Sequence, residues 1–523
     1  MKKLFIVFLC IHFIHSLNIL VYQTLPGSSH IAFSGKIVDI LVQAGHTVDK
    51  LIIEWNPNVL SNGTILARRI KRFGLNTKSP WLSATHVVKP FDNVYYHPFD
   101  DEPVFYRKTL SQFCEAMVED DSLLEWIKEG KYDSVLSSAY DACGHGLFHL
   151  AEIKPVMIYS PTTLIDHWAL MLGIPTMASY VPNPLRNNGQ GDKMLFTQKI
   201  SALADRTYQQ QIVLPSYHEV QNSIFQRKFG PSFPSLTELA KQSSMVFVNS
   251  HPLLELGRPY SHKIQQIGGI TLKESSGKLS NEFEEILNDR YKGAIVFSFG
   301  SLAKTDQIPI KIHEIFAKAF NNFPQYTVIW KFDGENTEFM SNYSNIYPVK
   351  WIQQIELLND PRVKLFISHT GLNSLLESAH SGTPVLSIPL FLDQNYNAHV
   401  VESRGVGLKL QKSEITVASL TDAIQKILTN ESFSENAKNL QKMLKQFPNK
   451  PEKTLINWIE YVSTFKDYGN HIQLQSANMS TFEYFCGDIF VVLFFVSFSL
   501  FYILYSILKY LLHFLLKQKL KTE

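Results

Sequence analysis

The chain has little of what marks several protein classes. Its 523 residues include 49 Lys or Arg against 47 Asp or Glu, so the formal net charge is only +2. It has no basic run with interleaved aromatics, and nucleic acid is therefore not an expected partner. Four cysteines are too few for a disulfide-built scaffold. Histidine and cysteine nowhere fall at metal-ligand spacing, so no metal is expected. There is no short-period repeat, which excludes solenoids and propellers. Charged residues make up 18% and hydrophobic residues 45%, enough apolar matter to bury a core and too much for a disordered chain. A chain of this length predicts two domains rather than one.

The apolar runs that do occur lie near the ends. Lys2 and Lys3 precede the apolar stretch Leu4 to Ile14, with Ser16 as a small residue at a cleavage position. That run is too short to cross a bilayer and reads as a secretory signal over residues 1–16. Its removal takes Cys10 with it and leaves Cys114, Cys143 and Cys486, an odd number. A Cys114–Cys143 pair is open at this level. Residues 489–508 are 20 residues without a charge, the length of a membrane-crossing helix. The tail 509–523 carries Lys509, Lys517, Lys519 and Lys521, expected on the cytoplasmic side. Lys519 and Lys521 also resemble a dilysine retrieval signal for the endoplasmic reticulum. The expected arrangement is single-pass type I, with the body in the lumen. Four sequons, at Asn62, Asn342, Asn430 and Asn478, fit that placement.

Between these ends the pattern is strand, helix, strand. Asn18 to Thr24 is a short β-type run, Ile31 to Ala44 has helical spacing, and Gly45 sits where a C-terminal glycine belongs. Thr47 to Ile53 reads as the next strand, which completes a βαβ unit. Further strands are expected at 132–137, 156–160 and 245–249. A polar stretch over 271–288 reads as a linker. A second series follows: strands at 294–298, 326–331, 363–368 and 384–388, with a helix over 309–322. The expected division is 17–270, the linker 271–288, 289–465 and a juxtamembrane segment 466–488. The Phe-, Pro- and Tyr-rich stretch around 161–240 is a candidate wall for a ligand pocket.

The densest chemical signal runs from Leu365 to Asn395. Ser368-His369-Thr370-Gly371 falls at a strand-to-helix turn, where free N–H groups and the helix dipole favour an anion. Gly371 has no Cβ to block close approach. Asn373 and Glu377 are four apart and share a helix face, where a carboxylate can accept from a diol. Asp393-Gln394 follows the next strand, on the usual ligand side of an open sheet.

Trp351, Gln354, Ser368 to Gly371, Glu377, Gly382-Thr383-Pro384 and Asp393-Gln394 together resemble the signature of the UDP-glycosyltransferase family. The resemblance extends to Phe297 to Ser301 and to Pro26 to His30. Around Tyr140 to Gly144 and Ser179 to Pro182 it is most like nematode members. It implies an α/β fold of GT-B type, two Rossmann-like doubly wound domains facing across a cleft, plus the C-terminal membrane helix. It places Trp351 and Gln354 at uracil and Ser301, His369, Gly371 and Asn373 at the diphosphate, with Thr370 and Ser374 also among the donor-binding residues. Glu377 falls at ribose, and Asp393 and Gln394 at the sugar hydroxyls. The implied chemistry is inverting transfer from a UDP-sugar to a hydroxyl of a small lipophilic acceptor, with His30 as general base. The donor, UDP-glucose or UDP-glucuronate, is a substrate, and no separate cofactor is expected. An acid that many relatives carry is replaced by Ser138, and Asp141 is the expected orienting partner of His30 instead. Val248 stands where glucuronate-using relatives carry arginine, which favours glucose. There is no Asp-x-Asp motif, which removes support for a metal-dependent transferase. Two other readings remain: a catalytically silent binder acting as partner subunit in a homo- or hetero-oligomer, and a sugar-nucleotide epimerase.

Overall fold

The computed structural model describes residues 16–24, 27–75, 91, 102–185, 191–208, 210, 214–273, 275–300, 303 and 305–522. The expected signal sequence lies outside them, apart from Ser16. The described chain folds around two parallel sheets. The first contains β1 (Asn18–Gln23), β2 (Thr47–Ile53), β3 (Arg69–Phe73), β4 (Ser134–Ser138), β5 (Val156–Ser160), β6 (Met245–Val248) and β7 (Ile264–Gln266). Their spatial order is β3-β2-β1-β4-β5-β6-β7, and every pairing is parallel. The central strands are buried on both faces, which is why Ile19 to Tyr22 and Met245 to Val248 are continuous apolar runs.

Helices cover both faces. The helix α1 (Ser28–Gln43) lays Phe33, Ile37, Val38 and Leu41 on one face, beside Val21, Met157 and Phe247. Gly45, at φ +96°, ends this helix turn in the left-handed region. The opposite face is covered by α2 (Glu102–Glu119), α3 (Asp121–Glu129) and α4 (Cys143–Leu150). A disulfide between Cys114 and Cys143 joins α2 to α4, with Cα atoms 5.6 Å apart. The stretch that gave little sequence signal holds α5 (Asp166–Met171), α6 (Phe196–Tyr208), α7 (Leu214–Phe229) and α8 (Leu236–Lys241).

The second sheet follows α9 (Asn281–Asn288) and contains β8 (Ala294–Ser298), β9 (Thr327–Lys331), β10 (Ile346–Val349), β11 (Val363–Ser368), β12 (Val385–Ser387) and β13 (Gly407–Lys409), ordered β10-β9-β8-β11-β12-β13. The helices α10 (Ile310–Asn321), α11 (Gln354–Asn359), α12 (Leu372–Ser381), α13 (Gln394–Ser403), α14 (Val417–Thr429) and α15 (Glu431–Lys445) surround it.

Two expected boundaries are corrected by packing. The stretch read as a linker contains α9, whose Phe283, Ile286 and Leu287 are buried against Val296, Ile329 and Phe366 of the second unit. The helix α16 (Pro451–Thr464) falls within 289–465, yet it returns to the first unit. Its Leu455, Ile459 and Val462 are fully buried with Ile19, Ile37 and Met245. Ser463 Oγ also donates to Ser134 Oγ at 3.0 Å.

After α17 (Tyr468–His471) and α18 (Thr481–Tyr484) comes α19, Gly487–Thr522, longer than the apolar run 489–508. Within Gly487–Gln518 the most apolar 18-residue window has a mean hydropathy of 2.4, and none of it is buried in protein. By length and composition it can cross a membrane.

Candidate functional site

In each sheet the strand order reverses beside the first strand of the unit, between β1 and β4 and again between β8 and β11. Crevices at the C-terminal ends of such strands are where open α/β sheets bind ligands. The sequence-predicted residues gather at these two places.

At the second crevice, β11 ends at Ser368 and α12 begins at Leu372. His369 fills the turn. Half-buried, with its Nδ1 lacking a hydrogen-bond partner, it sits between two glycines: a Cβ on Gly300 would stand 2.6 Å from its Cε1, and one on Gly371 2.7 Å from its Nε2. Burial, then the Lys331 charge, lowers His369 to about 4, so it is neutral at physiological pH. Thr370 adopts φ +60° and donates its N–H to Ser368 Oγ at 3.0 Å. No side chain caps α12 at Gly371, and Asn373 and Ser374 occupy its first turn. A helix end left open in this way leaves N–H groups that could meet an anion.

Trp351 lies in the loop after β10 and is 73% exposed. The Lys331 Nζ stands 6.0 Å from its ring centroid. Gln354 opens α11 and donates from Nε2 to Glu377 Oε2 at 2.5 Å. Burial pushes the Glu377 carboxyl up to about 6. Asp393, also raised to about 6 by burial, accepts from Asn397 Nδ2 at 3.0 Å. The Gln394 amide oxygen accepts from Leu390 N at 2.8 Å and Phe391 N at 3.1 Å. That oxygen is therefore committed to holding the loop, and its NH₂ end is what a sugar could use. Ser301 lies outside the described residues.

At the first crevice, His30 is the third residue of α1. Its ring is T-shaped against Tyr140, with centroids 5.8 Å apart. Its Nδ1 is buried without a hydrogen-bond partner, and burial lowers its pKa to about 4. A Cβ on Gly27 would come within 2.7 Å of that nitrogen, so glycine leaves the ring its place. The two crevices meet here. Burial raises the Tyr140 phenol to about 12, and the Asp393 charge from the other unit adds to the shift.

Asp141 does not hold His30. Its Oδ2 accepts from Tyr22 Oη at 2.6 Å, and its Oδ1 accepts from Gln221 Nε2 at 2.8 Å and Cys143 N at 3.1 Å. Buried, with its carboxyl raised chiefly by desolvation, it braces β1, α7 and the start of α4. Ser138, at the end of β4, has its Oγ buried without a hydrogen-bond partner.

Three contributors were absent from the sequence reading. Lys331 donates to Gly300 O at 2.7 Å and stands near both Trp351 and His369. Asn397 bridges Thr370 O at 3.1 Å and Asp393. Its position one helical turn after Asp393 was the available signal. Tyr140 lines His30 and hydrogen-bonds Thr162 at 2.9 Å through its hydroxyl. Among the described residues no group of three His, Cys, Asp or Glu side chains is placed to hold a metal ion.

The arrangement is an uncapped helix end with two carboxylates beside it in one crevice and an imidazole in the other, and comparison with known proteins gives the chain a family. The model of the UDP-glucoronosyl and UDP-glucosyl transferase family matches residues 24–522. The chain belongs to that family and is a UDP-sugar-dependent glycosyltransferase. "Putative UDP-glucuronosyltransferase ugt-48" of Caenorhabditis elegans is 29% identical over 489 residues, 91% of this chain and 91% of that protein. UDP-glycosyltransferase UGT5 of Dactylopius coccus is 28% identical over 413 residues, 78% of this chain and 76% of its own length. Among solved structures, Os79 from O. sativa in complex with U2F and trichothecene aligns with a TM-score of 0.58. It is 15% identical, with 85% of this chain and 100% of Os79 covered. The glycotransferase of kitacinnamycin gives a TM-score of 0.59 at 14% identity, covering 85% of this chain and 99% of that one. The architecture is GT-B.

Proposed function

We propose that this protein transfers glucose from UDP-glucose, with inversion, to a hydroxyl of a small lipophilic acceptor, using His30 as general base. The observation that carries the reading is the meeting of the two crevices at Tyr140. The phenol whose ring flanks His30 also feels the charge of Asp393. An acceptor hydroxyl beside His30 would then face a sugar held by Asp393. A base must be unprotonated, and a histidine lowered to about 4 is unprotonated throughout the neutral range.

The donor would lie along the second crevice, with uracil on Trp351, ribose hydroxyls donating to Glu377 and the diphosphate at the start of α12. Charge developing on the leaving diphosphate would meet the uncapped N–H groups of α12 and the Lys331 ammonium. Glucose is favoured over glucuronate because Val248 is buried in β6, and Arg258 is already engaged by Leu164 O and Asp166. A sugar carboxylate would lack a guanidinium partner there. The Cys114–Cys143 disulfide supports an oxidising compartment, and α19 supports a membrane anchor. We place the body in the lumen of the endoplasmic reticulum.

The test offers both donors to the full-length protein in microsomes with a panel of phenols and lipid alcohols, and determines the anomeric configuration of the product. A β-glucoside is expected from α-linked UDP-glucose. Exclusive use of glucuronate, or retention of configuration, overturns the corresponding part. Ser138 and the unpartnered His30 Nδ1 favour a second reading, a silent UDP-sugar binder. Binding of UDP without sugar transfer to any acceptor would establish it.

A further inference from the structure

The helix α6 wears its apolar side outward. Phe196, Ile200 and Leu203 follow helical spacing i, i+4, i+7, and with Leu195 they are 55–78% exposed. The opposite side carries the polar anchor. Arg206 is buried, donates to Asp166 Oδ2 at 3.1 Å, and also donates to the carbonyls of Thr176 and Val181. In a water-facing helix the apolar stripe belongs against the core and the polar side outside. Here the two are exchanged. Met177 and Tyr180, on the segment that Arg206 holds, are large apolar side chains that are also exposed.

The same segment receives the chain that leads to the membrane helix. Ser476 Oγ donates to Gly173 O at 2.6 Å. Ala477 is buried so closely that a Cβ on Gly173 would stand 2.3 Å from its backbone nitrogen. Residues 478–486 separate this anchor from α19 and can span no more than about 30 Å even when fully extended. Phe482 and Phe485, in that short stretch, are exposed as well. A bilayer entered by α19 therefore lies within reach of α6, which is itself about 20 Å long.

We propose that α6 is a second membrane contact, lying in the plane of the leaflet nearest the globular body. Leu195, Phe196, Ile200 and Leu203 would dip among the acyl chains. An interfacial helix of this kind needs one apolar face and a polar face turned away from lipid, and α6 meets both conditions. The position also bears on substrate entry. Just before α6, a Cβ on Gly191 would stand 3.3 Å from His399 Nδ1 on α13, the helix that opens with Gln394. The lipid-facing helix thus begins at the mouth of the cleft, where an acceptor dissolved in the bilayer would arrive.

The proposal rests on α19 spanning the bilayer, and the test separates the two. The full-length protein is reconstituted in phosphatidylcholine nanodiscs containing a phosphatidylcholine with a photoreactive acyl chain, irradiated and digested with trypsin. Peptides Met194–Lys199 and Ile200–Arg206 are expected to carry lipid, together with peptides of α19, while those of α9 do not. The variant F196Q/I200Q/L203Q loses the α6 labelling and keeps that of α19 and the binding of UDP. Labelled α19 with unlabelled α6 overturns the proposal. Absence of label on α19 overturns the membrane-span reading itself.

Discussion

The two crevices share a topology and differ in how their carboxylates are engaged before any substrate arrives. On the donor side, Gln354 already grips Glu377 and Asn397 grips Asp393. His369, set between two glycines, has its Nδ1 buried without a hydrogen-bond partner, as His30 does. On the acceptor side, the His30 Nδ1 and the Ser138 Oγ are both buried and unpartnered, and the nearby carboxylate of Asp141 is spent on Tyr22 and Gln221. A fixed nucleotide can be met by a prearranged set of partners. On our reading the variable partner finds its hydrogen bonds only when it binds, and the difference is concentrated in the carboxylate that His30 lacks.

The largest expected effect breaks the comparison on the acceptor side. Replacing His30 with alanine should lower kcat by about 10²- to 10⁴-fold, the usual range for losing a general base. UDP affinity, measured by calorimetry, should stay unchanged. Normal turnover would remove the assignment. Next is Glu377→Gln, which takes a charged acceptor from the ribose and should raise the donor KM roughly 10- to 100-fold. Because Glu377 is raised to about 6, it is protonated below that pH and ionised above it. Donor affinity in the native protein should therefore rise from pH 5 to pH 7.5, and less steeply in the variant. A parallel rise in both would assign the titration to Asp393 alone.

A smaller effect is expected at Asp141, and it concerns stability. Asp141→Ala leaves Tyr22 and Gln221 unpaired and should cost about 1–3 kcal/mol. Asp141→Asn, which keeps an acceptor oxygen, should cost less and leave kcat nearly intact. A large loss of kcat without loss of stability would restore Asp141 as a positioning residue for His30. The smallest effect at neutral pH is expected from Ser138→Asp. An acid at the end of β4 would hold the protonated imidazole and raise its pKa by roughly 1–3 units. Activity falls as pH drops through the His30 pKa, so the acid limb of kcat/KM should move up from about 4. An unmoved limb would show that position 138 does not address His30.

The same contrast explains what the sequence revealed. The donor crevice was legible because Trp351 to Gln394 is one contiguous stretch whose spacing is fixed by local strand and helix geometry. The acceptor crevice is assembled from β1, β4 and α7, and nothing in spacing tells that Gln221 reaches Asp141 across 80 positions. All nine strands read from the sequence are present, with ends shifted by up to two residues. The four other described strands, β3, β7, β10 and β13, are the four sheet edges. Edges are half-exposed and carry polar side chains, as in Arg69 to Phe73, so they lack the continuous apolar run of a central strand. The return of α16 was invisible for another reason: an amphipathic helix does not say which of two cores it joins.

That return sets an order of events during synthesis. Chains emerge N-terminus first, and domains usually close in that order. Here the face of the first sheet that takes Leu455, Ile459 and Val462 stays uncovered until residue 464 has left the ribosome. By then every strand of the second unit has already emerged. The later-made half can close first, and the earlier half is completed only as the membrane helix, which begins at Gly487, is about to follow. A nascent first half must be kept from aggregating for most of translation. A fragment ending at residue 270 should be insoluble, and supplying residues 451–464 on the same chain should be needed to rescue it.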